Sequence, residues 1–157
     1  MKPNEKGYIA GIIDGEGYIG VCGKPNVSGT RIVVTSTHQE LTQMLVEMAG
    51  VGKSKQDKPR NDGCRVPSWQ WSCFGHKAVG LLREIRQQLI IKRGQADCVL
   101  KIANYMRVKR RTNQPMNEAD LRFCTMYAKR IKALNSRERN KRLLRQQIIP
   151  RHLRGLA

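Results

Sequence analysis

Hydrophobic and polar positions recur along the chain with two different periods, and the switches between them outline the elements. Between residues 5 and 15, Tyr8, Ile9, Ile12 and Ile13 recur at helical spacing, which predicts a short helix with Asn4 as its N-cap. Tyr18 to Val21 and Arg31 to Ser36 are rich in β-branched and aromatic residues and predict two strands. Gly23, Pro25, Asn26 and Gly29 between them mark a long hairpin loop. A second helix is expected over residues 39–48, with Leu41, Met44 and Leu45 on one face and Gly50-Val51-Gly52 as its stop. A third strand follows from Lys53 to Gln56, then a polar loop from Asp57 to Pro67, then a fourth strand from Ser68 to Phe74.

The second half switches to helical spacing. Lys77 to Leu89 carries Ala78, Leu81, Leu82 and Ile85, and Gln95 to Arg107 carries Val99, Leu100, Ile102 and Ala103. Asn117 followed by Asp120 reads as the start of a last helix reaching Leu134. The expected fold class is α+β, with one antiparallel four-stranded sheet, helices on one of its faces and additional helices at the C-terminal side. In the fourth strand apolarity turns Trp69, Trp71 and Cys73 to the core and Gln70 to the open face; a slip of one residue would reverse that.

Charge narrows the function. The chain has 157 residues, enough for one domain with a real core, and 30 Lys and Arg against 12 Asp and Glu give a net charge of +18. An excess of this size repels itself in a compact fold, and a polyphosphate is its natural partner. Arg107, Lys109, Arg110 and Arg111 form a run suited to phosphates or solvent, and the basic stretch 136–157 is either an arm or a disordered end. No apolar run approaches the ~20 residues of a membrane span, and the start of the chain lacks the apolar core of a signal peptide. The five cysteines (Cys22, Cys64, Cys73, Cys98, Cys124) contain no CxxC pair, so reduced, mostly buried thiols in an intracellular compartment are expected rather than a structural zinc site.

The first helix carries the chemistry. Gly7, Gly11 and Gly15 line one side of it, with Ala10 beside them. Each glycine costs about 1 kcal/mol in a helix relative to alanine, so another backbone is expected to come close, from this domain or from a partner. Asp14 and Glu16 crowd the C-terminal end, where the helix dipole disfavours negative charge, which points to a cation such as Mg²⁺.

Taken together, Ile9-Ala10-Gly11-Ile12-Ile13-Asp14-Gly15-Glu16-Gly17 resembles the nine-residue motif of the LAGLIDADG homing endonuclease family, with Ile9 and Ile12 in place of leucines and Glu16 in place of the second Asp. A second segment, Leu89-Ile90-Ile91-Lys92-Arg93-Gly94-Gln95-Ala96, is also similar to the family. The resemblance covers roughly residues 5–134 and implies an αββαββα homing-endonuclease domain over residues 1–135, followed by the basic tail. A single motif and no internal repeat imply a homodimer in which Gly7, Ala10, Gly11, Asp14 and Gly15 form the contact. Glu16 is then the metal ligand, with the Gly15 carbonyl as a second oxygen for Mg²⁺ or Mn²⁺. Asp14 steadies the helix end or its partner, with ligation still open. Lys92 matches a basic residue that stabilises developing charge, against the plainer reading of a phosphate clamp or solvated lysine. Ser36 or Gln39 would position a water.

Within that frame strand parity gives the DNA-facing set: Tyr18, Gly20, Cys22 and Lys24 on the first strand, Arg31, Val33 and Thr35 on the second, Lys53 and Lys55 on the third, and Gln70 on the fourth. Asn26, Ser28 and Arg60 are loop residues placed to extend it. The activity implied is metal-dependent cleavage of double-stranded DNA, leaving 3′ overhangs, at a long, pseudo-palindromic site, in the service of intron or intein homing. The setting would be a bacterial or phage cytoplasm or an organelle. An intron RNA maturase and a catalytically silent DNA-binding regulator are the alternatives on the same fold, and the retained Glu16 and Lys92 speak for the nuclease.

Overall fold

The computed structural model describes residues 1–23, 26, 29–57, 67–111 and 115–136, with Arg110 and Arg111 described by their backbone alone. The order is α1 (Pro3–Glu16), β1 (Gly17–Val21), β2 (Thr30–Ser36), α2 (Gln39–Ala49), β3 (Lys53–Gln56), β4 (Trp69–Phe74), α3 (Gly75–Ile85), α4 (Arg93–Arg111) and α5 (Glu118–Leu134). The architecture is α+β, as the periodicity predicts. Lys24, Ser28, Arg60 and Cys64 lie outside the described residues, as does the tail after Ser136.

Boundaries differ where local chemistry outweighs periodicity. The N-cap of α1 is Lys2, not Asn4: Pro3 occupies the first helical position, where its missing N–H is no loss, and the Glu5 carboxylate accepts the Lys2 N–H at 2.7 Å. The third helix closes at Ile85, short of the expected Leu89, and the fourth opens at Arg93, ahead of the expected Gln95. Residues between them form a tight connection, in which the Gln88 and Leu89 N–H groups donate to the Ile85 carbonyl.

All neighbouring strands are antiparallel, in the order β1-β2-β4-β3. Ile19, Ile32 and Cys73 lie in one row across the sheet and Val34, Trp71 and Ser54 in another, both turned to the helices. Against them pack Ile9 and Ile13 of α1, Leu45 of α2, and Leu82 and Ile85 of α3, all fully buried. Trp71 is the largest of these core side chains, and its indole N–H donates to the Val51 carbonyl at 3.2 Å. Gly52 makes that possible: its φ of 91° is left-handed, and a Cβ there would stand 2.6 Å from the Trp71 indole nitrogen.

Helices α4 and α5 form a hairpin clasped by Asp120, which is 1% exposed. Its carboxylate accepts the Tyr105 hydroxyl at 2.5 Å, the Asn117 N–H at 2.9 Å and the Lys109 ammonium at 2.9 Å. These bonds, that of Tyr105 foremost, hold its pKa down at about 2. Tyr105 and Phe123 stack alongside, and Tyr127 meets Phe123 edge to face. Beyond the C-terminus of α5, the Asn135 amide donates to the Ile19 carbonyl at 2.9 Å, which ties the hairpin to the sheet's β1 edge. No helix among the described residues is long and apolar enough to cross a membrane.

Candidate active site and nucleic-acid interface

The last turn of α1 carries two acids in opposite circumstances. Asp14 is half-buried, and its carboxylate is occupied by its own chain: one oxygen accepts the Ile90 N–H at 2.6 Å and the other the Lys92 N–H at 2.8 Å. Lys92 immediately precedes α4, so these donors sit at the positive end of that helix, where a carboxylate is favoured. The lysine also turns its ammonium back to the Asp14 carbonyl at 2.5 Å. Lys92 is only 9% exposed, and burial lowers its pKa while the charges of Asp14 and Glu16 pull it upward. Glu16 is exposed, accepts no hydrogen bond among the described residues, and is coupled to Lys92 through charge alone. Asp14, expected at a subunit contact, therefore has its carboxylate engaged within its own subunit.

The glycines of α1 form an open stripe. Gly7, Gly11 and Gly15 are exposed, and a Cβ added to any of them would meet nothing within 4 Å. Among the described residues, no neighbour from their own domain occupies the space above them. Ala10, expected on the same surface, is fully buried in the core with Ile9 and Ile13. One residue turns the helix by ~100°, enough to carry Ala10 off the open stripe. Gly17 has the reverse character: a Cβ there would stand 2.7 Å from the backbone of Ile13, so the turn from helix to strand needs glycine. Ile90 and Ile91, exposed at 75% and 47%, stand on the connection that Asp14 holds.

Among the described residues no helix covers the far side of the sheet, where residues meet in rows set by the register. Thr35, Gln70 and Lys55 form one row, Tyr18, Val33, Ser72 and Lys53 a second, and Gly20, Arg31 and Phe74 a third. The parity expected for Tyr18, Arg31, Val33, Thr35, Lys53, Lys55 and Gln70 thus holds, with Trp71 in the core. Cys22 is exposed just beyond β1. Gly20 shares the face but is covered: a Cβ there would lie 2.3 Å from the Tyr18 hydroxyl, so the tyrosine ring occupies its space. The Asn26 side chain accepts the Gly29 N–H at 3.2 Å, a turn contact. Phe74, 56% exposed, joins the surface although the sequence does not single it out, and Ser72 shares the face but is buried between its row neighbours; the same alternation that places Gln70 finds both. Beside β1 opens a cavity of about 420 Å³, lined by Tyr18 and Val21 and, from α5, by Lys129 and Lys132.

No protein-family model and no curated protein matches the sequence. Solved structures do match. The homing endonuclease I-CvuI, in complex with its target in the presence of Ca, superposes with a TM-score of 0.64 at 19% identity, over 87% of this chain and 85% of that one. The same enzyme with the I-CreI target and Mg, its DNA not cleaved, gives 0.63 at 18% over 91% and 94%. The archaeal intron-encoded homing endonuclease I-Vdi141I, complexed with DNA, gives 0.64 at 16% over 85% and 86%. The chain has the homing-endonuclease fold. At these identities the likeness establishes architecture, and chemistry must be argued from the residues present.

On the homing-endonuclease fold, the open acid fits a divalent cation. Among the described residues no three His, Cys, Asp or Glu side chains gather into a cage for an ion. Mg²⁺ commonly does without one, keeping several waters and binding through one or two carboxylates plus substrate phosphates. Glu16 and the neighbouring Gly15 carbonyl, both at exposed residues, offer hard oxygens of that kind. Because Gly17 pairs with Val34, the end of β2 that carries Ser36 is the end of the sheet where Glu16 lies. Ser36 belongs to a helix-side row opposite Trp69, however, and its hydroxyl oxygen accepts the His38 N–H at 3.0 Å. Gln39 begins α2 and is exposed; its carbonyl accepts the Thr42 hydroxyl at 2.8 Å. Of the expected polar set, Lys92 is thus the member joined electrostatically to Glu16.

Proposed function

We propose that the protein is a single-motif LAGLIDADG endonuclease. It acts as a homodimer that binds double-stranded DNA on its open sheet face and cuts both strands at a pseudo-palindromic site, leaving 3′ overhangs and promoting intron or intein homing. The observation that carries the reading is Glu16: an unengaged carboxylate at the end of a helix whose glycine stripe stands open, beside a buried cation, Lys92. A twofold axis along that stripe would set the Glu16 carboxylates of the two subunits close together, one for each strand. The self-complementary contact needs no side chains at Gly7, Gly11 and Gly15, which lets the two backbones approach.

Glu16 and the Gly15 carbonyl would hold Mg²⁺ or Mn²⁺, and a metal so held polarises the scissile phosphate and lowers the pKa of an attacking water. The chain's own side chains orient and stabilise. Asp14 locks the connection at residues 90–92, which holds the Lys92 ammonium beside Glu16, where it offsets negative charge developing on the phosphate. Arg31, Gln70, Lys53 and Lys55 meet DNA on the sheet, supported by a net charge of +18.

The test is selection of cleaved sites from a randomised duplex library with Mg²⁺, with EDTA, and with Glu16→Gln. Cleavage should vanish with chelation and fall by at least about 10³-fold in the variant, on the scale of losing one preorganised charge partner. Binding in Ca²⁺ should persist. Cleavage undiminished under either condition sinks the mechanism, and a monomer on DNA in sedimentation sinks the twofold arrangement.

A further inference from the structure

Arg31 differs from the other cations of the open sheet face. Lys53 and Lys55 lie on the edge strand β3, exposed and without a ring beneath them. Arg31 is on β2, an inner strand, half-buried, with its guanidinium carbon 5.1 Å from the centre of the Tyr18 ring. That ring is itself seated, because it fills the space above Gly20, the residue directly opposite Arg31 across the strands. Phe74, 56% exposed, is opposite Arg31 on the other side. The side chain is therefore bracketed by a tyrosine it stacks on and a phenylalanine in the same row.

Its hydrogen-bonding capacity is uncommitted. Nε is buried without an acceptor, and Arg31 takes part in no ion pair among the described residues. What holds the side chain is packing and ring contact, which leaves the terminal N–H fork free to answer a ligand. A guanidinium stacked on an aromatic face is weakly hydrated and presents parallel donors in a fixed plane. Side-chain ordering that binding would otherwise require is already in place. Parallel donors match the O6 and N7 acceptors of guanine on the major-groove edge; a phosphate accepts such a fork too, but β2 is an inner strand of the sheet, and a sheet laid in the major groove turns its inner strands to base edges while the phosphates flank it.

We propose that Arg31 determines specificity by reading one guanine in each half of the bound DNA, from the platform made by Tyr18 and Gly20. The assignment rests on the DNA-binding reading above and adds the base and the residue that selects it. Lys53 and Lys55, lacking a platform, contact phosphates and contribute affinity evenly across sequences.

The test is selection of bound sites from a randomised duplex library in Ca²⁺, where binding is read apart from cleavage. Wild type should require guanine at one position and at its twofold mate, and Arg31→Gln should move that position toward adenine while the remainder of the site is unchanged. Within the selected site, 7-deazaguanine at that position, which lacks N7 and needs no variant protein, should weaken wild-type binding by about 10-fold. Tyr18→Ala should loosen the same position and no other. An even loss of affinity in Arg31→Gln with an unaltered base profile assigns Arg31 to phosphate and overturns the proposal, as does indifference to 7-deazaguanine at every guanine. A wild-type protein that selects no site overturns the DNA-binding reading itself, and the assignment with it.

Discussion

The two faces of α1 are built on opposite principles. One face, with Ile9, Ala10 and Ile13, is fully buried against the sheet and the other helices. The other, with Gly7, Gly11 and Gly15, meets nothing among the described residues. The same contrast recurs in the acids of the last turn, since Asp14 is saturated by the start of α4 and Glu16 is not engaged. A helix serving only its own fold would not keep three glycines on a solvent face, where each costs about 1 kcal/mol relative to alanine. The difference teaches that α1 is half core and half open surface, and that its two acids differ in the same way, one satisfied within its own subunit and one free among the described residues.

The largest expected effect divides the acids. Glu16→Gln should leave the thermal midpoint nearly unchanged, since no hydrogen bond within the described residues is lost, while cleavage falls by about 10³-fold or more. Asp14→Ala should do the reverse in proportion: it frees the Ile90 and Lys92 N–H groups and costs on the order of 1–3 kcal/mol of stability, read by urea denaturation. Cleavage in Asp14→Ala should fall less than in Glu16→Gln. Equal stability losses in the two variants would erase the division.

The second effect divides the faces. If the proposed twofold contact runs along the stripe, Gly11→Leu should preserve the folded subunit, since a Cβ there meets nothing among the described residues, and abolish dimerisation in sedimentation, since the added side chain would hold two backbones apart. Ala10→Leu, one residue away, should cost about 1–3 kcal/mol by overpacking a closed core. A Gly11→Leu protein that remains dimeric would show that the stripe is not the contact.

Much of this was legible in sequence, for identifiable reasons. Strand parity survives because the helix-side rows are anchored by Ile19, Ile32, Val34, Trp71 and Cys73 and the open rows carry Arg31, Lys53, Lys55 and Gln70, an alternation that assigns Trp71 and Gln70 to opposite faces. The Asn117–Asp120 start of α5 was legible because capping is a local event. Ala10 was not, since the motif joins it to the glycines in sequence while ~100° of helical turn separates it from them in space. Asp14 was not, because its donors lie 76 and 78 residues away. The available signal was physical: an acid at a helix C-terminus needs donors, and residues 89–93 immediately precede another helix. Ser36 shows a different limit: it stands near the expected end of the sheet, and its side chain lies in a helix-side row, where its hydroxyl accepts the His38 N–H in the turn into α2, a local contact that strand parity does not reveal.

The smallest effect extends the contrast to a third acid. Asp120, like Asp14, is saturated from within, by Tyr105, Asn117 and Lys109, and its folded pKa is about 2, below the ordinary aspartate value of ~3.9. A depressed carboxylate pKa contributes stability that is fully present above the unfolded value and is lost as pH falls through the folded one. The α4–α5 hairpin should therefore be insensitive to pH above about 5 and loosen progressively between about 4 and 2. Hydrogen exchange along α5 would report it, and Asp120→Asn should remove that acid dependence and lower the thermal midpoint modestly at neutral pH. Because α5 is tied to Ile19 through Asn135, loosening should spread to the β1 edge before it reaches the fully buried face of α1. If α1 and α5 instead lose protection together, the hairpin is part of the same cooperative core, and the closed face of α1 depends on it.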